Sequence, residues 1–157
     1  MDRGHLFMNN IPNPSSNLSI RSARPSDAAR IVELIRQMGS DSDVNEEYVL
    51  HYLSGTERGV LLACLGEHVA GLLSYSVRAD LYHAGNSVLI EELVVDEGVR
   101  GKGIGGALMD ALLKTAEGLE CRELCLAVMP DNEPAIRFYK RHGLVEEALF
   151  LERHFKP

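Results

Sequence analysis

The chain has no tryptophan, only 6% aromatic residues and three cysteines among its 157 residues. Cys64, Cys121 and Cys125 are odd in number and lack a flanking ligand pattern. That argues against a disulfide framework or a zinc site and leaves ordinary reduced thiols, so no metal is expected. No apolar run reaches the roughly 18 residues of a membrane helix, and no basic stretch leading into an apolar one opens the chain. The expectation is a cytoplasmic protein with no membrane partner. Basic residues do not predominate either; the net charge of −7 argues against a nucleic-acid partner. Neither a His-x-x-x-Asp acyltransferase motif nor a Gly-x-Ser-x-Gly elbow occurs, and no cysteine has the setting of a nucleophile, so an acyl-enzyme is not expected.

What is present is unevenly spread. Residues 1–97 carry 7 basic and 14 acidic groups, whereas residues 98–143 carry 7 and 6. An acidic first half suits a cationic partner; a near-neutral second part with Arg100, Lys102, Arg137, Lys140 and Arg141 suits an anionic cofactor. With 45% apolar residues the chain can bury one core, and one domain over 18–157 is expected after a polar, turn-rich arm over 1–17 that reads as disordered. Met8 in that arm is a candidate second start.

Hydrophobic periodicity orders the rest. Leu18–Ala23 alternates as a strand. Pro25-Ser-Asp27 then starts a helix whose Ile31, Leu34, Ile35 and Met38 recur at core-facing spacing. Asn45 is a candidate cap for a short helix over Glu46–Leu53. Val60–Leu65 and Val69–Val77 form a hairpin around Gly66-Glu-His68, a loop covers Asp80–Asn86, and Val88–Val95 is the next strand. A helix from Ile104 to about Glu117, a strand through Leu124, Leu126 and Val128, a helix over Glu133–Arg141 closed by Gly143, and a last strand over Leu144–Glu152, or two with a kink, complete the order β α α β β β α β α β. It predicts an α/β (mixed α+β) fold, a mixed sheet with helices on both faces.

The most informative stretch joins the strand Val88–Val95 to the helix at Ile104. Five glycines fall between Gly98 and Gly106. Residues without a Cβ let backbone N–H groups converge on an anion at a helix N-terminus, so a phosphate ligand is expected. Gly101, Gly103 and Gly106 have the dinucleotide spacing, but such a turn normally follows the first strand of its fold, and here almost a hundred residues precede it. The Walker pattern fails because Gly103 stands where Ser or Thr is needed.

Arg100-x-x-Gly103-x-Gly105 after a strand resembles the acetyl-CoA-binding motif of the GNAT N-acetyltransferases. Asn132-x-x-Ala135-x-x-Phe138-Tyr139-x-x-x-Gly143-Leu144 is similar to that family's next block, and Ile20-Arg-x-Ala with Asp27 to its opening. The resemblance spans roughly residues 18–153. It implies the GNAT fold, a mostly antiparallel sheet that splays at the cofactor site, and acetyl-CoA as cofactor with coenzyme A as product. The backbone of Arg100, Gly101, Lys102, Gly103, Ile104, Gly105 and Gly106 would bind the pyrophosphate. Leu93, Val94 and Val95 would pair with the pantetheine arm, Asn132 would touch the cofactor near its middle, and the Tyr139 hydroxyl would point at the sulfur. A bulge in the strand before the glycine turn, frequent in the family, cannot be read from this sequence.

Acyl transfer to an amine requires a neutral amine, and a lysine-like amine at neutral pH is only about one part in a thousand deprotonated. A carboxylate can relay that proton. Glu91 and Glu92 lie in an otherwise apolar strand; strict alternation puts them on opposite faces, so at most one should enter a cleft directly. Alternation groups Glu92 with Ile90 and Val94, and Glu91 with Leu89 and Leu93; resemblance to polyamine-type relatives favours Glu91. Oxyanion stabilisation would come from a backbone N–H near Val94 or Val95. His83 is the one histidine whose loop could border the acceptor, together with Tyr82. The acids Asp41, Asp43, Glu46 and Glu47 fall where the family borders its acceptor cleft, which suits a small cationic amine. A protein lysine or N-terminus is the alternative acceptor, and a non-catalytic acyl-CoA-binding module the alternative class. A homodimer is left open.

Overall fold

The structure, a computed structural model, describes residues 17–155. The arm expected over residues 1–17 lies, apart from Asn17, outside them. A five-stranded sheet runs in chain order, β1 (Leu18–Ser22), β2 (Arg58–Leu65), β3 (His68–Asp80), β4 (Gly85–Val95) and β5 (Cys121–Leu126). The first three pairings are antiparallel; β4 and β5 are parallel. That last pairing needs a crossover, supplied by α3 (Ile104–Gly118). The mixed sheet with helices on both faces expected from the element order is the one observed.

Each face has its own core. On one, α1 (Ala28–Arg36) and α2 (Glu46–Leu53) bury Ile31, Val32, Leu34 and Val49 against Leu62, Leu72 and Val94. On the other, α3 buries Ile104, Leu108, Met109 and Leu112 against Leu61, Leu73, Val88 and Ile90. Fully buried side chains of this kind contribute about 1.5–3 kcal/mol each. The start of α1 is held by Asp27, whose carboxylate takes two parallel bonds from the Arg21 guanidinium, both 2.8 Å, and one from the Arg24 N–H at 2.7 Å. Asn45 caps α2 as expected, accepting from the Tyr48 N–H at 2.8 Å. Gly143, at φ +89°, closes α4 (Glu133–Arg141).

Three expectations change. Met38 lies beyond the end of α1 and is 54% exposed, because the helix stops at Arg36 before its next turn could carry that side chain inward. The β3–β4 hairpin extends through Asp80 and Gly85, so the loop expected over 80–86 shrinks to a tip; ladder hydrogen bonds continue through polar residues that an apolar pattern does not flag. Residues 144–152 form no strand. Among the described residues β5 has no partner on its outer edge, and Val145, Leu149 and Leu151 stay exposed.

Candidate active site

The sheet is unfinished beside the glycine turn. β5 pairs with β4 only from Asn86 to Ile90, while β3 continues to pair with β4 as far as Val95. From Leu93 to Val95 the edge of β4 that faces away from β3 therefore has no strand on it among the described residues. The Asp96 N–H donates to Ala70 O at 2.8 Å and the Glu92 N–H to the Ser74 hydroxyl at 3.1 Å, so even-numbered residues here point their amides at β3. Backbone alternation turns the amides of Leu93 and Val95 to the open side. Of the two donors expected near the reacting carbonyl, Val95 is on the slot and Val94 faces β3. The Arg100 guanidinium already marks this edge, donating to Val95 O at 3.1 Å.

A bulge sits at the upper end of the slot. Ser74 pairs with Glu92 but Tyr75 with Ile90, which leaves Glu91 as the extra residue of β4. The side-chain alternation inverts there: Ile90 and Leu93 both face α3, and Val94 faces α1 and α2. Glu92 thus shares a face with Val94 as expected but not with Ile90, Glu91 does not share one with Leu93, and the limit of one carboxylate per cleft is overturned. Ser74 and Ser76, two apart on β3 and on one face, each donate to one glutamate: Ser74 Oγ to the Glu92 carboxylate, and Ser76 Oγ to Glu91 Oε1 at 2.7 Å. Both acids lie on the α1–α2 face.

Their surroundings differ. Glu91 is exposed. Glu92 is half-buried, and desolvation raises its pKa, opposed by the Ser74 bond and assisted by the Glu91 charge. The Tyr52 side chain of α2 borders both acids; burial first, then the Glu92 and Glu91 charges, push its pKa up to about 12. Its hydroxyl donates to Tyr75 O at 3.3 Å, and the Arg58 guanidinium lies 5.1 Å from its ring centroid. Sequence reading missed Ser74, Ser76 and Tyr52. A signal existed for the serines, since Gly71-Leu-Leu-Ser-Tyr-Ser76 puts two hydroxyls two residues apart in an apolar strand.

At the lower end lies the glycine turn. Gly101 and Gly103 sit at φ +76° and +77°, a region closed to most side chains, and Gly103 precedes the first residue of α3. Ala107 is the first residue of that helix whose N–H returns to the chain, to Gly103 O at 3.1 Å. The amides of Ile104, Gly105 and Gly106 precede it and are the orphan donors of a helix start. The turn is anchored from behind: Asp96 caps the 3-10 turn Glu97–Val99 through the Gly98 N–H at 3.3 Å and is ion-paired with Arg30 of α1. Lys102 and Arg100 are exposed at its rim.

The second motif packs directly on this turn. A side chain at Gly105 would stand 3.4 Å from Phe138 Cζ, so α4 rests on the first turn of α3. Asn132 caps α4, its Oδ1 accepting from the Ala135 N–H at 3.3 Å. Tyr139 packs in the α3-side core, edge-on to Phe138, and its hydroxyl makes no hydrogen bond among the described residues. Burial raises its pKa, so it keeps its proton at neutral pH. The glycine turn and the open edge adjoin, α4 packs on the turn through Phe138, and the glutamates and Tyr139 are associated with opposite faces of the sheet. His83 does not join them. It is bonded to Asp80 at the hairpin tip, six residues along β3 from Ser74 and therefore about 20 Å away. Asp41 and Asp43 are exposed in the α1–α2 connection, and Glu46 and Glu47 in the first turn of α2. Asp80, His83 and Glu123 bring their ligand-type atoms within 4.8 Å, but His83 and Glu123 are exposed and Asp80 is already engaged by two backbone amides.

Similarity to known proteins agrees with this arrangement. Over 57 residues the chain is 35% identical to the spermine/spermidine N(1)-acetyltransferase of Bacillus subtilis (strain 168), 36% of this chain and 38% of that protein. Over 129 residues it is 26% identical to the L-2,4-diaminobutyric acid acetyltransferase of Halomonas elongata, 81% of this chain and 65% of that one. The matches thus span less than two thirds of these relatives. An aminoglycoside acetyltransferase from an uncultured soil metagenomic sample shares the fold, with a TM-score of 0.79 at 20% identity over 92% of this chain and 99% of that one. The model of the acetyltransferase (GNAT) family matches residues 28–144, which hold four of the five strands, the slot and the glycine turn, and the chain belongs to that family.

Proposed function

We propose that the protein is an acetyl-CoA-dependent N-acetyltransferase that moves an acetyl group directly to a primary amine of a small, cationic acceptor. One observation carries the reading: the open edge of β4 has the glycine turn at one end and two carboxylates at the other, with a half-buried phenol on the opposite face. Bound acetyl-CoA would supply an acetyl group activated as a thioester. The residues fit it. Orphan amides at the start of α3, with Arg100 and Lys102 beside them, suit a pyrophosphate, and the free edge of Leu93 and Val95 suits an amide-bearing pantetheine arm added like a strand. Asn132, which caps the start of α4, would touch the cofactor near its middle.

The chain's own groups then divide the proton traffic. Glu92, with a raised pKa and an outlet past Glu91 to solvent, takes the proton that an ammonium must lose, directly or through water. Glu91, exposed beside it, holds the cationic acceptor. With acetyl-CoA bound, the nitrogen–carbon bond would form as the carbon–sulfur bond breaks; Tyr139 would give its proton to the departing sulfur, and the second proton shed by the nitrogen would return the phenol to its neutral form. The Val95 N–H is the donor for the carbonyl oxygen. The amines named for the two sequence relatives, spermine or spermidine and L-2,4-diaminobutyric acid, carry more than one basic nitrogen, which supports a polyamine-like acceptor for these paired acids.

The test is release of free thiol from acetyl-CoA in the presence of a panel of amines, polyamines and amino-acid amines included. Turnover is expected with a cationic small amine and should fall about 10²-fold or more in Tyr139→Phe. Tight acetyl-CoA binding with no amine consumed would leave a binding module instead.

A further inference from the structure

We propose that Ser74 is a positioning residue of this acetyl transfer, holding the Glu92 carboxylate aimed at the α1–α2 face of the slot. The inference rests on the reading of Glu92 as the proton acceptor. Ser74 is 4% exposed, in the middle of an apolar strand, where a hydroxyl is costly unless its bonds are filled. Both of its bonds go to one residue: the hydroxyl accepts from the Glu92 N–H at 3.1 Å and donates to the Glu92 carboxylate. A single side chain thereby fixes the backbone of the residue after the bulge and the rotamer of its acid. Since Glu91 has no backbone partner on β3, this closed loop is what determines where the second glutamate points.

The bond also has an electrostatic consequence. Desolvation favours the neutral acid, as does the neighbouring Glu91, and Ser74 opposes both by bonding the charged form. The other groups facing Glu92 are the Tyr52 phenol of α2, itself held protonated, and beyond it Arg58 of β2. Neither is bonded to the Glu92 carboxylate; Ser74 is. Ser76 makes the equivalent bond to Glu91 at an exposed position, where water can replace it. The two serines therefore have different jobs despite their identical chemistry.

The experiment measures turnover against pH, with the best amine of the panel, for the full-length protein and for Ser74→Ala, Ser74→Cys, Ser74→Thr, Ser76→Ala and Glu92→Gln. Melting curves establish which variants fold. In Ser74→Ala, kcat is expected to fall about tenfold on the acid side of the profile and by less than about twofold on the alkaline side, because Glu92 stays protonated to higher pH. KM for acetyl-CoA should not move. Ser74→Thr should restore the profile, and Ser76→Ala should raise KM for the amine with the acid limb in place. If the alanine variant does not fold, Ser74→Cys carries the same prediction, since a thiol is a weak donor. A folded Ser74→Ala or Ser74→Cys with the wild-type profile, or one lowered equally at every pH and not rescued by threonine, overturns the assignment. Glu92→Gln turning over like wild type would instead remove the reading of Glu92 on which it stands.

Discussion

Glu92 occupies a place that disfavours its own charge, and that has a cost measurable without any substrate. Its pKa is raised on folding, so the folded protein binds the proton more tightly than the unfolded chain does, and stability falls as pH rises through that range. Glu92→Gln is therefore expected to raise the melting temperature at pH 7 to 8. The gain should vanish below about pH 4, where the acid is protonated in both states. Asp27 is the opposite case. Its pKa is held down chiefly by the Arg21 hydrogen bonds, so its contribution is complete above the unfolded value near 4 and is lost as pH falls through the folded one. With 11% of its side chain exposed, Asp27→Ala is expected to cost about 2–3 kcal/mol in denaturant melts at pH 7, and less at pH 2 to 3.

At the scale of the element, the glycine turn and the bulge set the shape of the slot from its two ends. An alanine at Gly103 meets no atom within 4 Å, so its penalty comes from the positive φ alone, about 1–2 kcal/mol. Gly103→Ala should accordingly leave the fold intact but raise KM for acetyl-CoA severalfold, as steady-state kinetics would reveal. Gly71 restricts space instead of torsion: a Cβ there would approach Val94 O to 2.9 Å and Ile104 Cγ2 to 3.3 Å. These two elements were legible in the sequence to different degrees. Arg100 to Gly106 and Asn132 to Leu144 are recognisable because glycine, proline and cap residues mark local backbone geometry. The bulge is not local. It is a mismatch of register between Ser74–Tyr75 and Ile90–Glu92, strands joined by a hairpin, and no property of Glu91 announces it. A single inserted residue moved both glutamates to one face. The strand expected over 144–152 failed for a related reason, since a local run of residues says nothing of whether a sheet edge is available to it.

Across the whole molecule, charge and architecture divide at the sheet. The first half of the sequence, with 14 acidic and 7 basic groups up to residue 97, supplies α1, α2 and the glutamate pair; the more balanced remainder supplies the glycine turn and both later helices. A cationic acceptor and an anionic cofactor would then meet regions of suitable charge. Raising ionic strength from about 0.05 to 0.5 M should increase KM for a diamine more than for a monoamine of equal length, because screening acts on the second charge as well. Equal effects on both amines would show that only one charge is sensed.

The missing pairing beyond Ile90 has a consequence for motion. Amides of Leu93 and Val95 face neither strand nor helix, so in the free protein they should exchange with deuterium quickly although their side chains pack in or against a core. Their even-numbered neighbour Val94, turned toward β3, should exchange slowly. Addition of coenzyme A should reverse the contrast at Leu93 and Val95 while leaving Val94 as it was, and this exchange fingerprint would report occupancy of the slot before any acetyl group has moved.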